Sequence, residues 1–182
     1  MIFSPDDFAR DHFALFGLPR RQALDETELE RQYRDVQARV HPDKHTHLTE
    51  ADQRLAMQWA TRTNEAYATL KSPLKRAVYL LCLLGHDLHA ERNTAMPAGF
   101  LIEQIGLREA VAEARGASGI GELERLRRQM QTEMSNQYQR LTQAMDEAHD
   151  YERAAGIARE LMFQEKLIYE IDEALEAVEA NA

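Results

Sequence analysis

Residues 40–47 read VHPDKHTH and concentrate the side chains most able to do chemistry. Imidazoles, a carboxylate and an ammonium group lie close together there, and three kinds of site are compatible with them. They could form a metal site, a catalytic group, or a loop that docks on another protein. Because each kind of site requires different neighbours, the rest of the sequence can discriminate among them.

A metal site and a catalytic site both lack the neighbours that they need. The histidines His41, His45 and His47 have no cysteine or carboxylate at a recognised ligand spacing. Catalysis by His41, Asp43 and Lys44 would require a nucleophile, an oxyanion-stabilising group or a concave pocket, and a polar loop between helices offers few of these. We therefore expect no metal, no cofactor and no catalytic residue. A solvated loop and a docking loop both stay open at this point.

Composition and charge narrow the class of protein. The 182 residues are 44% hydrophobic and 29% charged, which suits one or two small domains with hydrophobic cores. Asp+Glu number 31 against 22 Lys+Arg, and the formal net charge of −9 opposes binding to nucleic acid or to an anionic membrane. Residues 101–182 hold most of the excess, with 17 acidic and 9 basic side chains. A protein partner with basic surface patches is therefore favoured.

Cysteine usage and the N-terminus indicate a compartment. Cys82 is the single cysteine, which excludes a disulfide framework or a cysteine-based metal site within one chain, and its apolar neighbours in 78–84 predict a buried thiol. The first twenty residues contain Asp6, Asp7 and Asp11 and lack a signal-peptide pattern, and no apolar run approaches transmembrane length. We expect a cytoplasmic protein, although a matrix protein that has lost a transit peptide would look similar.

Helical periodicity extends through most of the chain, and no alternating apolar and polar stretch is long enough to predict a sheet. The predicted fold class is therefore all-α. Pro42 must end the helix that Asp25 begins, because the residue before a proline is disfavoured in the α conformation. Trp59 is predicted at the edge of the next helix's apolar stripe, and the helix after that is apolar almost all round, which predicts burial on more than one side. The predicted helices of this half cover about 6–16, 25–41, 51–70 and 74–84.

The second half has a different organisation. Residues 85–97 are polar and contain both cap and breaker residues, which predicts a linker. Three amphipathic patterns with short connections follow, and these predict an antiparallel three-helix bundle. The patterns cover about 98–115, 120–145 and 157–178. The predicted domains are 1–84 and 98–182.

Residues on both sides of the His41-Pro42-Asp43 tripeptide form a wider pattern. Tyr33 and Arg34 precede it, and a second set of residues follows it. In this arrangement residues 10–80 resemble the J-domain of co-chaperones that activate DnaK-type heat-shock ATPases. The following set comprises Asn64-Glu65-Ala66-Tyr67, Leu70, Pro73, Arg76 and Tyr79.

The J-domain resemblance implies that the loop contacts the ATPase domain of a chaperone, triggers ATP hydrolysis there, and performs no chemistry of its own. Pro42 restricts the backbone, His41 can pack and donate a hydrogen bond, and Asp43 can pair with a chaperone arginine. The basic pair Arg31 and Arg34 would meet an acidic surface, unless the acidic side chains of their own helix (Glu28, Glu30 and Asp35) pair with them first. The implied chaperone-binding residues are Arg31, Tyr33, Arg34, His41, Pro42, Asp43 and Lys44.

Longer matching stretches extend the resemblance to the whole chain. They read FALFGLP at 13–19, RAVYLL at 76–81 and FLIEQIGLRE at 100–109. With them the chain is similar to the HscB family, the J-domain co-chaperones of iron-sulfur cluster biogenesis. The resemblance implies an N-terminal J-domain helical hairpin plus a C-terminal three-helix bundle. It also implies an adaptor that binds an IscU-type scaffold, delivers it to an HscA-type ATPase and stimulates that ATPase.

The helix expected from residue 98 has two apolar faces. One face carries Phe100 and Val111, whereas Leu101 and Ile105 lie more than a quarter turn away. The second face is either covered by a neighbouring element or exposed as a partner site. Phe163 lies off the main stripe of its own helix in the same way, and periodicity alone leaves both alternatives open.

The HscB resemblance implies that this second face binds the scaffold. Gly106 stands where some members of the family have an acidic residue, so one charge contact is expected to be missing. Three other functions stay open: a J-domain protein with a different client, a hydrolase that uses His41 and Asp43, and a bundle that self-associates through the second apolar face. The implied scaffold-binding residues are Leu101, Ile102, Ile105, Glu109, Glu113 and Phe163.

Overall fold

The computed structural model describes residues 10–40, 49–88, 96–116 and 119–180. All regular structure in these ranges is helical, so the all-α prediction is confirmed. The chain divides after Leu80 into two compact units. The predicted domain ends and the linker over 85–97 stay predictions, because residues 89–95 lie outside the described part of the chain.

The described part of the first half contains α1 (His12–Leu15), α2 (Glu26–Val40), α3 (Glu50–Lys71) and α4 (Pro73–Leu83). Of these helices, α2 and α3 pack together as a helical hairpin, and α1 packs against α3. Asp11 has an extended backbone, and its carboxylate accepts a hydrogen bond from the Ala14 N–H at 2.9 Å, as an N-cap residue does. The prediction of one continuous helix over 6–16 is therefore wrong at Asp11.

Trp59 is a central core residue of the first unit rather than an edge residue as predicted. Its side chain is buried, together with Phe13 and Phe16 of the α1 region. Arg62, one turn later on the same face of α3, donates a hydrogen bond to the Arg10 backbone oxygen at 2.6 Å. The chain entering α1 therefore lies along this face of α3, which helical periodicity alone could not reveal.

The apolar helix α4 is buried over a wide face, although not all round. Its buried residues are Leu74, Arg76, Ala77, Leu80 and Leu81. Cys82 and Leu83 fall outside that face and are exposed. The prediction of a buried thiol is therefore wrong, because the apolar run is wider than the surface that its neighbours cover.

The second half forms the predicted three-helix bundle, in which all three helices pack against one another. One hydrophobic core contains Val111, Leu126, Met130 and Leu167. The elements are α5 (Ala98–Gly116), α6 (Ile120–Thr142), a π-helical turn (Gln143–Glu147) and α7 (Tyr151–Glu179). Helix α6 ends earlier than predicted, and the chain continues from it as the π-helical turn.

The last helix begins six residues before the stripe that predicted it at 157. Asp150 provides the reason, since its carboxylate accepts a hydrogen bond from the Arg153 N–H at 3.1 Å and so caps the new N-terminus. His149, just before the cap, has a left-handed φ of 52° that reverses the chain between the two helices. The cap residue was visible in the sequence and marks the beginning of the helix better than the apolar stripe does.

Candidate partner-binding surfaces

The predicted docking loop joins α2 to α3, and the structure describes its two ends. Val40 closes α2 and is buried, while Thr49 caps α3 by accepting a hydrogen bond from the Asp52 N–H at 3.3 Å. The predicted docking residues His41, Pro42, Asp43 and Lys44 lie outside the described residues, so their roles stay predictions.

Tyr33 joins α2 to α3 about two helical turns before that loop. Its ring stacks on Tyr67 at a centroid distance of 4.0 Å, and its hydroxyl donates a hydrogen bond to Asn64 Oδ1 at 3.0 Å. Gln37 Nε2 in turn donates to the Tyr33 hydroxyl at 2.9 Å. The J-domain-like residues Tyr33, Asn64 and Tyr67 therefore form a joint between the two helices, which gives them a structural role whatever else they contact.

The basic residues predicted to meet a chaperone are already paired within their own helix. Arg31 binds Glu28, with nitrogen and oxygen 2.6 Å apart, and Arg34 pairs with Glu30. The hydrogen bond from Arg31 lowers the pKa of the Glu28 carboxyl. Both arginines are exposed, and water and salt weaken such surface pairs, so exchange to a carboxylate of a partner would cost little.

The bundle exposes an apolar patch across two helices. We define the apolar patch as Leu101, Ile102 and Ile105 of α5 with Phe163 of α7. All four are exposed, Ile102 the most at 70% and Phe163 at 38%. Phe163 meets the Phe100 ring edge to face at 6.1 Å, which joins the two halves of the patch. Of the two alternatives for the second face of α5, the exposed one is therefore the one observed in the described residues.

Acidic side chains border the patch along α5. Glu109 and Glu113 are exposed on the turns after Ile105. Gly106 lies between, and a Cβ built there meets nothing within 4 Å. The surface at Gly106 is exposed, and a Cβ there would displace no neighbour.

Salt bridges join α7 to both other helices of the bundle. Arg108 of α5 binds Glu170 of α7 with nitrogen and oxygen 2.9 Å apart, and Arg127 of α6 binds Asp172 of α7 at 2.8 Å. All four side chains are partly exposed to water, so these pairs add little to the packing of the apolar core.

The buried glutamines of the bundle were missed from the sequence. Gln104 of α5, Gln137 of α6 and Gln164 of α7 are all buried. Gln164 Nε2 donates to Glu133 Oε1 at 3.2 Å, and Gln137 Nε2 donates to Glu160 Oε2 at 2.8 Å. Each glutamine occupies a position within an otherwise apolar stripe, and that pattern is the signal that could have found them.

Among the residues that the structure describes, no group of His, Cys, Asp and Glu side chains could hold a metal ion. The same residues include no helix that is long and apolar enough to cross a membrane.

Comparisons with known proteins match both halves of the chain. Residues 11–79 match the family model of the DnaJ domain, and residues 96–180 match the model described as the HSCB C-terminal oligomerisation domain. The "Co-chaperone protein HscB homolog" of Aromatoleum aromaticum is 50% identical over 95% of this chain and 98% of its own length. The structure is similar to chaperone HscB from Vibrio cholerae, with a TM-score of 0.81, 32% identity, and coverage of 93% of this chain and 99% of that one. It is also similar to human HscB, with a TM-score of 0.86, 26% identity, and coverage of 94% and 89%.

Proposed function

This chain belongs to the HscB family of J-domain co-chaperones, and from that membership we propose that it joins two partners. The bundle binds an IscU-type iron-sulfur scaffold, and the J-domain delivers that scaffold to an HscA-type chaperone and stimulates its ATPase. The observation that carries the proposal is the exposed apolar patch on α5 and α7, in a chain that also has a J-domain.

The patch has the composition of a protein interface. Large apolar side chains at its centre lose water on binding, while exposed carboxylates at its border favour a partner with basic residues around an apolar spot. Leu101, Ile102, Ile105 and Phe163 would supply the centre, with Glu109 and Glu113 at the border. The scaffold would be bound without any chemical change made by this chain.

The J-domain acts through direct contact with the chaperone. Asp43 would pair with a chaperone arginine, and Arg31 and Arg34 would exchange Glu28 and Glu30 for acidic groups of the chaperone surface. Because the hydrolysis of ATP takes place in the partner, we propose an activator rather than an enzyme. We propose the cytoplasm as the compartment in which the two partners meet it.

The test is steady-state ATP hydrolysis by an HscA-type chaperone, with this protein and an IscU-type scaffold added singly and together. We expect synergistic acceleration that Asp43→Asn abolishes while scaffold binding persists. Phe163→Ala should weaken scaffold binding while the J-domain still acts alone. If either variant abolished both activities, the two-site model would be wrong.

Two other functions give different results in the same assays. If this protein accelerates ATP hydrolysis by the chaperone equally with and without the scaffold, it is a J-domain protein with another client. Self-association through the apolar patch is the second candidate, favoured by the match of residues 96–180 to a C-terminal oligomerisation domain. Sedimentation of the protein alone would reveal it as a dimer that Ile102→Ala dissociates.

A further inference from the structure

The Phe163 side chain of the apolar patch lies against the ring of Phe100. The two ring centroids are 6.1 Å apart, and the ring planes are 87° from parallel. Aromatic pairs favour this edge-to-face arrangement, because the positive edge of one ring meets the negative face of the other. Phe163 is 38% exposed, so its own protein already covers most of the side chain, and Phe100 is part of that cover.

Phe100 belongs to the core side of α5. At helical steps of four, three and four it shares one face with Gln104, Leu107 and Val111. Gln104 and Val111 are buried, and Leu107 packs against the core of the bundle. Phe100 is itself half-buried, so its place is fixed by the core side of the helix. It therefore limits the positions that the Phe163 ring can take.

A partner binds more tightly to a side chain that is oriented before binding. An exposed phenylalanine that rotates freely about χ1 loses this freedom when a partner covers it, and the loss of entropy weakens binding. A ring that its own protein already holds in one position loses less entropy. Phe100 can thus strengthen the binding of a partner that it does not touch.

We propose that Phe100 is a positioning residue of the apolar patch, which orients the Phe163 ring for the protein that covers the patch. The inference rests on the proposed function, since an IscU-type scaffold is that protein. Phe100 is not among the scaffold-binding residues that the HscB resemblance implies. Its contribution to binding passes through Phe163.

The test is a double-mutant cycle with Phe100→Leu and Phe163→Leu. Leucine is apolar and suits a helix but has no ring, so each replacement removes the edge-to-face pair. Titration calorimetry with an IscU-type scaffold gives Kd for the unaltered protein, both single variants and the double variant. A thermal melt gives Tm for each protein without scaffold. Nuclear magnetic resonance of the free protein shows whether Phe163 keeps one χ1 rotamer, through the couplings to its β protons.

Ile120→Ala is the control for a loss of stability without a change in the patch. Ile120 is the first residue of α6 and packs against the same hydrophobic core. The chain just before it is hydrogen-bonded to the last turns of α5, from the Gly119 N–H to the Ala114 oxygen at 2.7 Å, whereas Phe100 lies in the first turn of that helix. Ile120→Ala should lower Tm by leaving a cavity, with unchanged Kd and unchanged χ1 couplings of Phe163.

We expect Phe100→Leu to weaken scaffold binding about fivefold, which is the ratio of Kd values that corresponds to the entropy of one immobilised side chain. When Phe163 is already leucine, the same replacement should change Kd by less than about twofold, because the residue through which Phe100 acts is gone. The χ1 couplings of Phe163 should indicate one rotamer in the unaltered protein and an average over several rotamers in Phe100→Leu.

Three results would overturn the inference. An unchanged Kd for Phe100→Leu would show that the ring does not affect binding. A single Phe163 rotamer in that variant would show that other neighbours orient Phe163. An equal loss of binding in the Phe163→Leu background would show that Phe100 contacts the scaffold directly.

Failure of the inference and failure of the proposed function give different results. If Ile102→Ala weakens scaffold binding while Phe100→Leu leaves it unchanged, the proposed function stands and the positioning role is wrong. If the unaltered protein does not bind the scaffold, the proposed function fails. The χ1 couplings would then still show whether Phe100 orients Phe163, because they are measured on the free protein.

Discussion

Replacement of Ile102 by alanine tests the apolar patch with little effect on the fold. Burial of a whole isoleucine side chain contributes about 1.5–3 kcal/mol. Since 70% of Ile102 is exposed and alanine keeps one methyl group, a partner that covers it would lose about 1–1.5 kcal/mol. That loss corresponds to a roughly tenfold weaker Kd for the scaffold.

The same replacement should leave the stability of the unbound protein unchanged or slightly higher. Ile102 buries little surface in its own bundle, and alanine is the better helix former. Titration calorimetry with an IscU-type scaffold gives Kd, and a thermal melt gives Tm. Met57→Ala is the matched control, because Met57 is an apolar residue of α3, 60% exposed and outside the patch.

Of these two replacements, only Ile102→Ala is expected to change the Kd for the scaffold. Unchanged scaffold binding with unchanged Tm would refute the assignment of the patch as the interface. An equal loss of binding for Met57→Ala would show instead that exposed apolar residues anywhere on the protein contribute, so that the patch has no special role.

Three further predictions concern the patch border, the joint between α2 and α3, and pH. Gly106→Glu should strengthen scaffold binding and raise stability by about 0.5 kcal/mol in a thermal melt, because a helical glycine is unfavourable and a Cβ there meets no neighbour. Tyr33→Phe should lose about 0.5–1 kcal/mol of stability in urea titration, since its bond to Asn64 is removed while the ring stacking persists. Burial, followed by the nearby charges of Glu103 and Glu160, raises the pKa of Glu133 in the folded protein above its ordinary value of 4.5. The free energy of unfolding therefore falls as pH rises from about 4.5 through the folded-state pKa of Glu133. Glu133→Gln should show no gain in Tm below that interval, an increasing gain across it, and the full gain above it.

Periodicity in the sequence predicted the helices well, because each helix buries one stripe of apolar residues at steps of three and four. It also predicted that Leu101 and Phe163 lie off the stripes of their helices, which the structure confirms. Whether such residues are covered depends on elements distant in sequence, so exposure had to come from the fold. The same limitation explains the errors at Trp59 and Cys82, since coverage by the chain near α1 and the width of the buried stripe are tertiary properties.

Charges that act between helices were beyond the sequence for a different reason. The negative charges of Glu103 on α5 and Glu160 on α7 act on Glu133 of α6, and nothing in the local pattern of one helix shows which charges of another face it. The pairing of Arg31 with Glu28 could be predicted, because both lie on one helix three residues apart. Charges within a helix are thus readable from spacing, whereas charges between helices require the packing.

The buried glutamines have a consequence for how α6 and α7 are aligned along their length. An apolar seam tolerates sliding, but a slide of α7 by one helical turn, about 5.4 Å, would separate Gln164 from Glu133 and Gln137 from Glu160, and would leave buried amides without their partners. The two amide–carboxylate pairs therefore favour one longitudinal alignment of α6 and α7. In that alignment Phe163 of α7 meets Phe100 at the beginning of α5, so that two helices present one continuous surface.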